Sequence, residues 1–201
     1  PVMDEARRNM VLIQVKRLTS LNQSVNESNL SWSEDGVYLS YESVDELERK
    51  IQLKSLAGGY ERDLLVLPRG KDSFLDGIML PSIHSYNSGL SWSRKSTRFA
   101  FMSNGGVGDY NIYVGAVGVP EKVVARSSSK DGYAAWHPSD ESIAFVSSRS
   151  GGGDLYRYDF NTENLTQITN DSGTDLFPEW AHHGATLVYC SGDSVNHDIQ
   201  V

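Results

Sequence analysis

The placement of tryptophan constrains this chain more than any other feature. All four tryptophans, Trp32, Trp92, Trp136 and Trp180, head the same local pattern, and they stand 60, 44 and 44 residues apart. Leu30-Ser31-Trp32-Ser33 recurs as Leu90-Ser91-Trp92-Ser93, and Ala134-Ala135-Trp136-His137 and Pro178-Glu179-Trp180-Ala181 take the same place later. A polar turn follows each: Ser33-Glu34-Asp35-Gly36, Ser93-Arg94-Lys95-Ser96, His137-Pro138-Ser139-Asp140 and Ala181-His182-His183-Gly184. Asp-Gly supplies the left-handed position that a tight hairpin needs, and Pro138 already holds the φ of a turn's second residue.

After each turn comes a β-branched and aromatic run: Val37 to Tyr41, Arg98 to Met102, Ser142 to Val146 and Thr186 to Cys190. Its mixed alternating and continuous apolar character suits a strand packed between two other sheets. A third strand is expected at Lys50 to Leu53, Asn111 to Val114, Asp154 to Tyr158 and Asp198 to Val201. A fourth is expected at Leu64 to Leu67, Lys122 to Val124 and Leu165 to Thr169. Four short antiparallel strands in about 44 residues is the period of a propeller blade. One such sheet cannot bury both faces alone, and stacking sheets around an axis buries them against each other.

The expected fold is therefore all-β, a β-propeller of about four four-stranded antiparallel blades, either whole or part of a larger propeller. The blades fall near 21–67, 86–126, 131–170 and 173–201. The last stops at its third strand. The run Val11 to Thr19 reads as a lone strand that would complete it. A further domain or a second copy of the chain is the alternative way to complete a ring. The long first interval places an insertion between Pro68 and His84, and Val44 to Lys50 reads as a charged loop or a short helical turn.

Composition narrows the function. The net charge is −8 and the pI near 5.1, so phosphate backbones repel the chain and no nucleic-acid partner is expected. No apolar run approaches the roughly 18 residues of a helical membrane span, so no membrane insertion is expected. The single cysteine, Cys190, excludes an intramolecular disulfide and reads as a small strand residue. Gly89-Leu90-Ser91-Trp92-Ser93 lacks the closing glycine of a serine-hydrolase elbow and is the blade repeat itself. The five histidines, at 84, 137, 182, 183 and 197, have no metal-ligand spacing, and His137 and His182 are expected in solvated turns. No catalytic residue, metal or cofactor is expected. The glycine clusters at 105–106 and 151–153 precede no helix and read as hairpin loops.

The motifs Trp32-Ser33-Glu34-Asp35-Gly36, Ile143-Ala144-Phe145-Val146-Ser147-Ser148-Arg149-Ser150-Gly151 and Asp154-Leu155-Tyr156 resemble the repeat of TolB-like β-propellers, relatives of the propeller domains of prolyl oligopeptidase-like proteins. The third repeat matches best, and the first two lack the Ser-x-Arg-x-Gly piece. The resemblance implies a periplasmic or secreted scaffold that binds a protein, peptide or carbohydrate at the channel mouth. Its alternatives are the substrate-gating propeller of a prolyl oligopeptidase-like hydrolase and a metal-dependent pectic lyase; a cytoplasmic location stays open. If the Trp-bearing strand is innermost, the residues entering it face the axis. This makes Asn29, Tyr86, Asn87, Asp131, Tyr133, Asp175 and Phe177 the candidate ligand-binding residues, a polar and aromatic set suited to a polar ligand.

Overall fold

The computed structural model describes residues 18, 26–44, 49–64, 74–75, 78–79, 87–104, 109–193 and 195–201. The described residues form seventeen strands and no helix. Blade 1 holds β1 (Asn26–Trp32), β2 (Tyr38–Val44), β3 (Arg49–Ser55) and β4 (Glu61–Leu64). A small hairpin of β5 (Phe74–Leu75) and β6 (Ile78–Met79) follows, inside the long first interval. Blade 2 holds β7 (Asn87–Trp92), β8 (Arg98–Ser103), β9 (Asn111–Ala116) and β10 (Val119–Val124). Blade 3 holds β11 (Asp131–Trp136), β12 (Ser142–Ser147), β13 (Asp154–Asp159) and β14 (Leu165–Gln167). Blade 4 is three-stranded, with β15 (Thr174–Trp180), β16 (Leu187–Gly192) and β17 (His197–Gln200). Each blade is an antiparallel meander in sequence order, the arrangement of a β-propeller.

The hairpin turns repeat with the sequence. The residue after each tryptophan donates its backbone N–H to the carbonyl five residues on: Ser33 to Tyr38, Ser93 to Arg98, His137 to Ser142 and Ala181 to Thr186, all at 2.8–2.9 Å. Gly36, Asp140 and Gly184 take the left-handed position, with φ of 68°, 68° and 75°. Two fourth strands begin earlier than expected. β4 starts at Glu61 and β10 at Val119, because Gly58, Gly59 and Gly118, all at positive φ, turn the chain sooner than the apolar runs suggest. Val44 belongs to β2 and Arg49 and Lys50 to β3, paired across the sheet rather than looped. Apart from Leu18, the run Val11 to Thr19 lies outside the described residues, as do most of the insertion and Asp45 to Glu48.

The core lies between blades. Phe99 and Phe101 of blade 2 pack with Ile51, Leu53 and Leu64 of blade 1, and Ile143, Phe145 and Tyr156 of blade 3 pack with Ala100, Ile112 and Val114 of blade 2. Each tryptophan after the first wedges against the preceding blade. Trp92 Nε1 donates to Ser40 Oγ at 3.1 Å, and Ser40 in turn donates to Ser31 O at 3.2 Å. At the two later seams the residue in the place of Ser40 is Ala100 or Ala144, and the buried indole N–H of Trp136 and of Trp180 has no partner.

Polar staples cross each seam beside the wedge. Arg62 reaches within 2.8 Å of the Glu121 carboxylate. Arg98 lies 4.7 Å over the Trp136 ring and 4.3 Å over Phe160, and donates to Asp140 O at 3.0 Å. The His137 ring meets Trp180 edge-on at 4.7 Å, so this histidine is not the solvated turn residue that its sequence position suggests. Its Nδ1 accepts from Ser139 N, which leaves Nε2 to carry the proton and donate to Gly184 O at 2.9 Å.

Two faces are left open. Trp32 is 52% exposed, against 8%, 3% and 9% for the three later tryptophans. Ile199 is 78% exposed, whereas Ile51, Ile112 and Leu155 at the same repeat position are at most 1% exposed. The leading face of blade 1 and the trailing face of blade 4 thus carry seam-type side chains that are not covered as the inner seams are.

The orphan indoles make a testable stability difference. Ser40→Ala should lower unfolding stability by about 1–2 kcal/mol, since it leaves a third buried N–H unpaired. Ala144→Ser should raise it by roughly 0.5–1 kcal/mol, because Ala135 O is placed to accept the new hydroxyl as Ser31 O accepts that of Ser40. Urea unfolding midpoints of the two variants check both signs.

Candidate functional site

The first strand of every blade carries the same irregularity. Its pairing with the second strand slips between Ser28 and Ser31, Ser88 and Ser91, Gly132 and Ala135, and Leu176 and Glu179. The slip is a β-bulge that holds a residue in the left-handed region three places before each tryptophan. These residues are Asn29 (φ 51°), Gly89 (65°), Tyr133 (53°) and Phe177 (52°). For an L-residue that conformation costs roughly 1–2 kcal/mol relative to the right-handed region, and glycine escapes the cost. Asparagine tolerates it through its short polar side chain, and an aromatic residue there is uncommon.

Tyr133 and Phe177 use the bulge to turn their rings inward. They remain 40% and 59% exposed, and their rings meet edge-to-face at 4.7 Å. Both line a cavity of about 600 Å³ walled by all four first strands, which puts the cavity on the propeller axis. β1 contributes Ser31 and Trp32, β7 contributes Gly89 to Trp92, β11 Tyr133 and Ala134, and β15 Phe177 to Glu179. A Cβ built on Gly89 meets nothing within 4 Å, so this bulge leaves an open slot in the ring. Behind the slot, Gly89 N and Ser88 Oγ both donate to Glu42 Oε1, at 2.9 and 2.8 Å, and Arg49 pairs with the other carboxylate oxygen at 2.9 Å.

The far end of the cavity is charged. Arg94, two residues after Trp92, reaches from blade 2 to blade 4. There Nη2 lies 3.0 Å from Glu179 Oε1 and Nη1 3.1 Å from His182 Nδ1. Glu34, two residues after Trp32, lines the same cavity. Two of the three cavity serines are committed to structure: Ser91 Oγ accepts from Trp136 N, and Ser93 Oγ accepts from Lys95 N and Ser96 N.

Of the residues expected at the mouth, Tyr133 and Phe177 are brought together on the axis, and Asn29 occupies the equivalent exposed bulge of blade 1. Asn87 opens β7 opposite Ser103, and Tyr86 lies outside the described residues. Asp131 and Asp175 are buried, at 1% and 0% exposure, and take structural partners. Arg149 Nη2 sits 3.1 and 2.9 Å from the two Asp131 oxygens and 3.0 Å from Ala125 O, while its Nε donates to Ser147 Oγ at 2.7 Å. This is the physical content of the Ser147-Ser148-Arg149 motif: it neutralises the buried acid that starts the inner strand. Burial pushes the Asp131 carboxyl up from its ordinary value, and bonds from Ser147, Arg149 and Ser127 oppose the push. In blade 4, Asp193 stands where Arg149 would be, and Asp175 is held instead by the Thr169 hydroxyl and by its own N–H, which donates to Gly153 O at 2.7 Å.

No family model matches the chain, and no curated protein matches it in sequence. Solved structures do match in fold. TolB from Acinetobacter baumannii superposes with a TM-score of 0.66 at 19% identity, over 87% of this chain and 41% of that one. A puromycin-hydrolyzing peptidase of Mycobacterium tuberculosis gives 0.67 at 14% identity, over 92% and 28%. A chain of the nidogen/laminin complex gives 0.62 at 10%, over 88% and 61%. This chain is thus a β-propeller with the blade architecture shared by TolB and by the propeller domains of prolyl oligopeptidase-like peptidases. It spans about two fifths of the TolB chain and under a third of the peptidase.

The buried pair is open to a direct check. Asp131→Ala should cost about 3–5 kcal/mol of unfolding stability, because it strands the Arg149 guanidinium at a seam. Asp131→Ala combined with Arg149→Met should lose less than the single change, and a thermodynamic cycle from denaturant unfolding measures the difference.

Proposed function

We propose that the chain is a non-catalytic binding propeller whose axial cavity holds an extended segment of another protein. The observation that carries this reading is the conformation of Tyr133 and Phe177. Two aromatic residues occupy backbone positions that favour glycine, and the equivalent residue of blade 2 is glycine. Strain of this kind persists where the side chain has a use, and it concentrates at ligand clamps. The rings are half-exposed and line a cavity large enough for several side chains. Asn29 adds a polar edge to the same ring of bulges, and the slot at Gly89 lets a ligand approach main chain.

Other features agree with a binding role. The hydroxyls of Ser91 and Ser93 are engaged in the fold, and no cavity serine is paired, among the described residues, with a histidine or carboxylate base of the kind that nucleophilic catalysis requires. The likeness to TolB and to a chain of a protein–protein complex favours a protein partner over a carbohydrate, and the resemblance to TolB supports a periplasmic or secreted location. The second reading, a substrate-gating propeller of a larger hydrolase, is favoured by the peptidase likeness and by the open faces at Trp32 and Ile199. It uses the same axial cavity.

Replacing the aromatic residues with glycine separates binding from folding. Phe177→Gly relieves the left-handed strain but removes the edge-to-face contact, terms of about 1–2 and 0.5–1.5 kcal/mol that nearly cancel. Unfolding stability should stay within about 1 kcal/mol of the parent chain. Linear peptides selected on the parent chain from a random library should lose most of their affinity for Phe177→Gly. Full retention of affinity would remove the axial cavity from the account.

A further inference from the structure

The charges around the axial cavity are unequal in a way that bears on what the proposed segment carries. Arg94 is the one cation among the described lining residues, and it is already engaged: Glu179 sits at 3.0 Å and His182 Nδ1 at 3.1 Å. Nδ1 accepts from the guanidinium, so the proton of the His182 ring sits on Nε2. Glu34, the second lining carboxylate, is exposed and has no ion pair or hydrogen bond among the described residues. The cavity therefore offers one unmatched negative charge and no unmatched positive one, in a chain whose net charge is −8.

The two ends of the cavity differ. Tyr133 and Phe177 stand three residues before their tryptophans, whereas Glu34 and Arg94 stand two residues after theirs. Three residues of strand separate each bulge from its tryptophan, about 10 Å at 3.3 Å per residue, and the turns that carry Glu34 and Arg94 begin just beyond. An extended ligand rises at the same rate, so the two levels are about three or four ligand residues apart.

We propose that the segment is recognised at two points: an apolar or aromatic side chain against Tyr133 and Phe177, and a lysine or arginine three or four residues away against Glu34. This rests on the reading of the axial cavity as a peptide site. The Arg94–Glu179 pair spans blades 2 and 4 beside the Glu34 level. It repels a basic group on one side and leaves Glu34 as its acceptor, and it discourages an acidic group by keeping the guanidinium satisfied. Cation–π attraction extends the preference to basic residues that pass the ring faces.

The test uses four fluorescein-labelled peptides of one length, each with a phenylalanine anchor and, four residues on, lysine, norleucine, glutamine or glutamate. Binding is read by anisotropy at low and high salt. The lysine peptide should bind about tenfold tighter than the norleucine peptide at low salt, with the gap narrowing at high salt. Glu34→Gln, an exposed turn change, should abolish that gap by bringing the lysine peptide down to the norleucine level. Moving lysine next to the anchor should abolish it too. Equal affinity for lysine and norleucine peptides, with both still weakened by Phe177→Gly, would overturn the two-point rule and keep the peptide reading. Tightest binding by the glutamate peptide, lost in Arg94→Gln, would overturn it in favour of an anion site. Failure of all four peptides to bind the parent chain would overturn this proposal and the peptide reading together.

Discussion

Everything in this molecule depends on one blade burying the face of the next. A single four-stranded sheet of this size exposes both faces, and only stacking takes them out of water. The tryptophan at the end of each inner strand after the first is a buried part of that contact. At the first seam the wedge is also bonded, through Trp92 and Ser40. At the next two the alanine that replaces serine leaves the indole N–H unpaired, so those seams rest on packing and on staples such as Arg98 over Trp136 and His137 against Trp180. On the two outer faces the same side chains, Trp32 and Ile199, are exposed, which shows that burial comes from the neighbour and not from the sheet itself.

The fold was legible because it is written as a repeat. The recurring tryptophan, the turn after it and the apolar run after that are local signals, and their spacing matched the strands observed. The strand ends were less legible where a glycine turned the chain before the apolar run began, as at β4 and β10. His137 misled for a related reason: a turn residue is solvated in an isolated hairpin, and only the next blade brings Trp180 over it.

The site was half legible. The position of Tyr133 and Phe177 just upstream of the tryptophans pointed to the axis, but nothing in their identity indicates a left-handed bulge. Asn29 and Gly89 did hint at it, since both tolerate positive φ, and they share the register of the two aromatics. Asp131 and Asp175 look like mouth residues in the sequence because alternation and bulges cannot be told apart there. One bulge between them and the tryptophan flips which side chains reach the axis, and it sends the acids into the seam. The Ser-x-Arg motif was visible as a family signature, while its work, holding a buried aspartate, needed three dimensions.

The propeller thus separates two tasks along each inner strand. The tryptophan end builds the seam, and the bulge end gives up local backbone stability to place a side chain on the axis. The most direct test of that division is amide and aromatic NMR of the chain as a selected peptide is added. The account predicts the largest shift changes at Gly89, Leu90, Tyr133 and Phe177, with the outer strands β3, β9 and β13 unmoved. Changes confined to the outer strands, or to the open face at Ile199, would contradict it.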